Sequence, residues 1–239
     1  MNLIIDIGNT RVKIAVFKDN NLYSLIKIQP DTILTDVTSI LKKQKIKNTI
    51  ISSVSIIDLK LISLLKKKTF LIVLNAATKT PFINLYKTPK TLGVDRIALM
   101  AAANNQYTNK NVLVIDAGTC ITYDFLNSKN EYFGGAIAPG INMKYKAMHH
   151  FTAKLPLLTT KKQIVIGNTT TNAMHQGVIN GTVYEIDGVI NHYKNNNDNL
   201  TIVLTGGDTI FLAKLLKSSI FANPNFLLEG LNHILNYNI

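Results

Sequence analysis

Short apolar runs alternate with amphipathic stretches along this chain, and the alternation predicts strands and helices in turn. Residues 3–6, 12–18 and 22–29 read as three opening strands, the last two joined by the turn Asp19-Asn20-Asn21. Ile33, Leu34, Val37, Ile40 and Leu41 recur at helical spacing, which predicts a helix over 32–43. A strand at 49–53, an amphipathic helix at 57–67 and a strand at 70–74 follow. After Pro81 and Pro89, the loop Leu92-Gly93-Val94-Asp95-Arg96 leads into a helix over 97–106.

The second half repeats the opening theme. Strands are expected at 112–115, 121–125 and 132–137, with helices over 141–150 and, as one long element, 170–193. A strand at 201–204, a helix at 210–217 and a closing helix at 229–235 complete the chain. The first half's order, β-β-β-α-β-α-β, is that of a ribonuclease-H-like mixed sheet with helices on its faces. The expected fold is therefore α/β, with two such lobes at 1–107 and 108–239 and a nucleotide cleft between them.

Bulk composition narrows the class. Hydrophobic residues make up 46% and charged ones 17%, the balance of an ordered globular protein. No apolar run is long enough to predict a transmembrane span, and no signal peptide is apparent. The single cysteine, Cys120, excludes an internal disulfide and a multi-cysteine zinc site. A cytoplasmic location is the expectation. A net charge of +12 raises nucleic-acid binding, yet the runs Lys42-Lys43-Gln44-Lys45 and Lys66-Lys67-Lys68 lie beside amphipathic helices. No aromatic residues interleave with them as a stacking platform would require, so no nucleic-acid partner is expected.

Candidate chemistry gathers at strand ends. Asp6-Ile7-Gly8-Asn9-Thr10 and Asp116-Ala117-Gly118-Thr119 each place a carboxylate, a glycine and a hydroxyl after a buried strand. Such a turn can hold a cation and offer backbone N–H groups to an anion. Neither is a Walker A loop. The first could bend a hairpin around a polyphosphate, with Arg11 and Lys13 on the next strand, or simply satisfy its own backbone through Asp6 and Asn9. Their duplication favours the functional reading. Thr205-Gly206-Gly207-Asp208 forms a third strand-end turn, on which a flat base such as adenine could lie. Asp95 could accept a proton from a substrate hydroxyl and Arg96 could grip a carboxylate; alternatively Asp95 caps the following helix. His149-His150 lacks companion ligands at metal spacing, and Cys120 has no evident base partner.

In this order, the four turns make the chain resemble the type III pantothenate kinases, of the actin-like and sugar-kinase superfamily. Gly134-Gly135-Ala136-Ile137-Ala138-Pro139-Gly140, Thr152-Ala153-Lys154-Leu155-Pro156 and Ile166-Gly167-Asn168-Thr169-Thr170-Thr171-Asn172-Ala173-Met174 extend the match. The resemblance implies transfer of the γ-phosphoryl of ATP to the terminal hydroxyl of pantothenate, at the start of coenzyme A synthesis, by a homodimer. It implies a phosphate loop of Asp6, Ile7, Gly8, Asn9, Thr10, Arg11, Val12 and Lys13, with Asp6 near Mg²⁺ directly or through water. Asp95 matches the general base, and Tyr86, Gly93, Val94 and Arg96 match pantothenate contacts. Asp116 matches the ligand of a monovalent cation, K⁺ or NH₄⁺, and Thr119 matches an ATP contact beside Gly206 and Gly207. Thr170 matches a threonine that reaches pantothenate from the partner subunit. Two competing expectations are another small-molecule kinase of the superfamily and a non-catalytic transcriptional accessory protein. A pure binder would need neither Asp95 nor Asp116.

Overall fold

A computed structural model describes residues 1–159, 163 and 165–239. The chain opens with strands β1 (Asn2–Ile7), β2 (Val12–Lys18) and β3 (Asn21–Ile28). Helix α1 (Ile33–Lys43), strand β4 (Asn48–Ser53), helix α2 (Leu59–Lys68) and strand β5 (Phe70–Val73) follow. Then come the short strand β6 (Ile83–Asn84), helix α3 (Val94–Gln106) and strands β7 (Val112–Ala117), β8 (Cys120–Leu126) and β9 (Glu131–Pro139). The remainder is α4 (Ile141–His150), α5 (Thr170–His175), α6 (Gly181–Asn196), β10 (Thr201–Thr205), α7 (Thr209–Ala213), β11 (Phe221–Ala222) and α8 (Phe226–Tyr237). Residues 1–108, 130–133 and 225–239 cluster as one unit, and 109–129 with 134–224 as a second.

In the first unit the sheet order is β3-β2-β1-β4-β5, antiparallel through β3-β2-β1 and parallel through β1-β4-β5. β1 is central, and its Leu3, Ile4 and Ile5 are fully buried, which is why it reads as a continuous apolar run. The β2–β3 connection is a two-residue turn with Asp19 at φ 49° and Asn20 at φ 66°, the left-handed pair that a tight hairpin demands. Leu3, Ile5 and Ile7 pack with Val37 of α1 and with Leu61 and Leu65 of α2. Both helices end in lysines, Lys42-Lys43 and Lys66-Lys67-Lys68, where the helix dipole favours cations. Part of the charge excess thus has a local structural reason.

Helix α3 starts three residues before the predicted position. Gly93 is its N-cap, so Asp95 and Arg96 occupy the first turn and Asp95 is not the cap residue. The first turn carries Asp95 and Arg96 just after Gly93, a polar stretch that reads as loop by pattern although the backbone there is already helical. The closing helix α8 belongs to this same unit, although it follows the whole second sheet in sequence.

The second unit repeats the topology: β11-β10-β7-β8-β9, antiparallel at β7-β8 and parallel at β7-β10-β11. β9 begins in the first unit, where Glu131 and Tyr132 pair in parallel with Ile83 and Asn84 of β6. The predicted long helix over 170–193 is interrupted by a π-helical segment, Gln176–Asn180, between α5 and α6. A π-segment preserves the apolar rhythm while shifting the phase of the faces, so the pattern alone cannot reveal it. The helix after Asp208 is also shorter than predicted, ending at Ala213. β6 and β11 have two residues each, too short to carry a periodic signal.

Candidate active site

Two charged groups of the first unit, Lys13 and Asp95, act on Asp6 at the end of β1. Asp6 is 8% exposed, and Lys13, its register partner on β2, brings Nζ to 3.7 Å from Asp6 Oδ2. Burial nevertheless wins over that ion pair: the Asp6 carboxyl is pushed up to about 6 by desolvation, lowered by Lys13 and raised again by the charge of Asp95. Removing water from the carboxylate costs more than one cation at this distance returns. A site built so favours a further positive charge.

Four residues, 8–11, separate β1 from β2. The Gly8 N–H donates to Arg11 O at 3.2 Å, which closes the bend. Asn9, Thr10 and Arg11 are exposed around it, while Ile7 and Val12 are buried at its base. Donor groups thus face outward from an apolar footing.

At the start of α3, Asp95 is half-buried and its Oδ1 accepts from the Arg96 N–H at 2.8 Å. The carboxylate folds back over Gly93, where any Cβ would strike Asp95 Oδ1. A side chain at position 93 would push the carboxylate away from this position. Val94 is half-buried beside it, and Arg96 is 5% exposed, its guanidinium 5.5 Å from the centre of the Tyr86 ring. The fold therefore brings Tyr86 to Arg96 and places Asp95 within electrostatic reach of Asp6, all inside the first unit.

The second unit has its own acid at the end of β7. Asp116 is half-buried and faces Thr122 on β8 and Thr205 on β10. Gly206, at φ +97°, lies so close that a Cβ there would strike Asp116 Oδ1 and crowd Ala117 O. A left-handed backbone and a close approach both require glycine. The Asp208 N–H donates to Ala117 O at 3.0 Å, and Thr209 Oγ1 donates to Gly206 O at 2.7 Å. These bonds hold the Gly206-Gly207 turn against the strand end, with Gly207 and Thr119 exposed.

Thr170 is the first residue of α5 and is exposed. Its neighbour Thr169 is the N-cap, its hydroxyl accepting from the Asn172 N–H at 3.2 Å. His149 is tied by Nδ1 to Leu155 O at 2.7 Å, and His150 stands edge-on to Phe151. His175 is buried against the Tyr145 hydroxyl at 2.8 Å, a packing role. Among the described residues no group of three or more His, Cys, Asp or Glu could enclose a metal ion. Mg²⁺ in phosphate sites commonly takes only one or two protein carboxylates, with water and phosphate oxygens completing its shell.

The donor sets fit ions of that kind. Beside each acid lies a buried hydroxyl with no hydrogen-bond partner: Ser52 Oγ, in register with Asp6, and Thr122 Oγ1, in register with Asp116. Residues in register share a sheet face, so each hydroxyl stands on its acid's side of the sheet. Reading the sequence alone overlooked both. The signal available was a hydroxyl at a strand end, and its weight depends on a pairing register that sequence does not state.

Comparison with known proteins places the geometry in context. A family model described as type III pantothenate kinase matches residues 2–192. The chain is similar to the type III pantothenate kinase of Flavobacterium psychrophilum, at 46% identity over 99% of each chain. That of Christiangramia forsetii is 48% identical over 100% of this chain and 99% of its own. Among solved structures, a candidate Baf family transcriptional activator from Campylobacter jejuni has a TM-score of 0.64 at 24% identity, covering 99% of this chain and 98% of its own. A glucokinase from an Antarctic psychrotroph scores 0.52 at 12% identity, covering 99% and 98%. These two carry the fold alone: two mixed-sheet units of the sugar-kinase and actin-like kind.

Proposed function

The chain belongs to the type III pantothenate kinase family, ATP-dependent kinases that phosphorylate pantothenate in coenzyme A biosynthesis, and we propose how its residues divide that work. The observation that carries the proposal is the gathering of Asp6, Lys13 and Asp95 in one unit. Lys13 Nζ stands 3.7 Å from Asp6 Oδ2, and the charges of Lys13 and Asp95 act on the Asp6 carboxyl in opposite directions.

In this reading residues Asp6 to Lys13 form the phosphate loop. The exposed Asn9, Thr10 and Arg11 and the backbone of Gly8 donate to the triphosphate, and Lys13 neutralises charge from the neighbouring strand. Asp6, with the Ser52 hydroxyl, would hold Mg²⁺ directly or through water; when bound, the ion screens the phosphate oxygens. Asp116, with the Thr122 hydroxyl, would hold K⁺ or NH₄⁺ through oxygen ligands, and Thr119, Gly206 and Gly207 would border ATP, the glycine turn against its adenine. Tyr86, Gly93, Val94 and Arg96 would hold pantothenate, with Arg96 on its carboxylate.

The acceptor's terminal hydroxyl oxygen then bonds to the γ-phosphorus while the bond from that phosphorus to the β,γ-bridging oxygen breaks. Asp95 takes the hydroxyl proton, and ADP departs with the bridging oxygen. Because the reaction demands positioning and charge neutralisation, an acid and two cation-holding strand ends suffice on the protein's side. A homodimer completes the reading, with Thr170 of one copy reaching the acceptor in the other.

The test is a coupled assay with ATP, pantothenate and Mg²⁺, with and without potassium. Asp95→Asn should retain both substrates while turnover falls by about 10²–10⁴-fold. Near-full turnover in that variant would remove Asp95 from the role. The structural likeness to the Campylobacter jejuni protein extends to the fold and carries no argument for a transcriptional function.

A further inference from the structure

We infer that Tyr132 is a positioning residue for the acceptor site: by holding the Tyr86 ring that faces Arg96, it sets the preference for an acceptor bearing a carboxylate. The inference rests on the role proposed above for Arg96.

Arg96 is a charged side chain buried to 95% of its surface, and a buried guanidinium recognises an anion only if it is held in one geometry. Part of its surroundings is the Tyr86 ring, 5.5 Å from the guanidinium carbon. Tyr86 itself lies outside any helix or strand and is only half-buried. Left to itself, a side chain on such a segment would sample several rotamers, and the face offered to Arg96 would vary. Two contacts hold it. Its N–H donates to Asn84 Oδ1 at 3.1 Å, and its ring stacks on Tyr132 with the planes 10° apart and centroids 6.2 Å apart.

Tyr132 is suited to be the fixed end of this relay. It is fully buried, and Phe82 stands edge-on to it at 6.0 Å and 87°. Its carbonyl accepts from the Leu85 N–H at 2.8 Å, and it pairs with Asn84 in the β6–β9 ladder. A two-residue strand has little reason to exist alone. Here its effect is to dock the segment carrying Tyr86 onto the residue that stacks with it. The order Tyr132, Tyr86, Arg96 therefore runs from a rigid buried ring, through a loop ring, to the group that meets the substrate anion.

The experiment compares pantothenate with pantothenol, in which a neutral alcohol replaces the carboxylate. Tyr132→Leu should raise the KM for pantothenate by roughly 5–30-fold, the span of one lost ring contact and a loosened guanidinium. The KM for pantothenol, the KM for ATP and kcat should stay within about twofold, and Tyr132→Phe should restore the wild-type KM because the ring is what matters. An equal rise for both acceptors, or no rise, overturns the inference. If Tyr132→Leu does not yield folded protein, Asn84→Ala carries the test, since it removes the Tyr86 N–H acceptor without emptying the core. A pantothenate-selective rise supports the relay, and an unchanged KM overturns it. Arg96→Met separates the two levels: no change in pantothenate KM defeats the role of Arg96 itself, whereas a large rise there with none in the Tyr132 variants defeats only the relay.

Discussion

The strand-end turns after β1 and β7 occupy the same place in two sheets of the same topology, yet their surroundings differ. Asp6 faces a lysine across the antiparallel ladder and a serine across the parallel one. Asp116 faces threonines on both sides. Four residues separate β1 from β2, against two (118 and 119) between β7 and β8. The longer bend exposes Asn9, Thr10 and Arg11, whereas the tighter turn is backed by the left-handed Gly206. One framework thus carries two different acids, one deeply buried beside a lysine and one half-buried among hydroxyls; in the function proposed above the first serves polyphosphate with Mg²⁺ and the second a weakly hydrated monovalent ion. The acid is common to both, and its cross-strand neighbour sets the chemistry.

That contrast can be broken most completely at the second turn. Asp116→Asn should abolish stimulation by potassium while a low basal rate persists; a potassium titration with the response of wild type would refute the site. Next in size, Lys13→Thr gives the first turn the second's neighbour. Losing a charge-assisted contact to phosphate should raise the KM for ATP by roughly 10–100-fold with little effect on pantothenate. An unchanged ATP titration would show that Lys13 serves only Asp6.

A third test uses the burial of Asp6. Burial holds its carboxyl at about 6, well above the usual carboxylate range, so the fold favours the neutral form. That contribution is fully present below pH 4, is lost as pH rises through 6, and leaves the charged acid a burden of about 2–3 kcal/mol at neutral pH. Asp6→Asn should therefore stabilise the ligand-free protein at pH 7.5 and not at pH 4, while depressing catalysis. Equal thermal-melt differences at both pH values would show that burial of this charge is not what the fold resists. The smallest effect belongs to Ser52→Ala. Removing an unpartnered buried hydroxyl should leave the ligand-free protein neutral or more stable by up to about 1 kcal/mol. The KM for Mg·ATP should rise a few-fold; a loss of stability with unaltered kinetics would assign Ser52 to packing.

Much of this was legible beforehand. The apolar runs of β1, β4, β7 and β10 mark buried central strands, and the turns that follow them announce acids, glycines and hydroxyls at strand ends. Periodicity is a local property, so it locates α1, α2 and α4 well. It fails where the first helical turn is glycine-led and polar, as at the start of α3, and where a π-turn shifts the phase, as at Gln176–Asn180.

Residue order therefore determined the element types, the doubled sheet pattern and the identity of the acids, because each depends on side chains a few positions apart. Tertiary structure alone decided that α8 joins the first unit, that Lys13 and Ser52 flank Asp6, and that Tyr132 stacks on Tyr86. Those facts depend on strand register and on contacts between residues dozens to hundreds of positions apart. They also set how strongly each charge is desolvated, which residue order does not express.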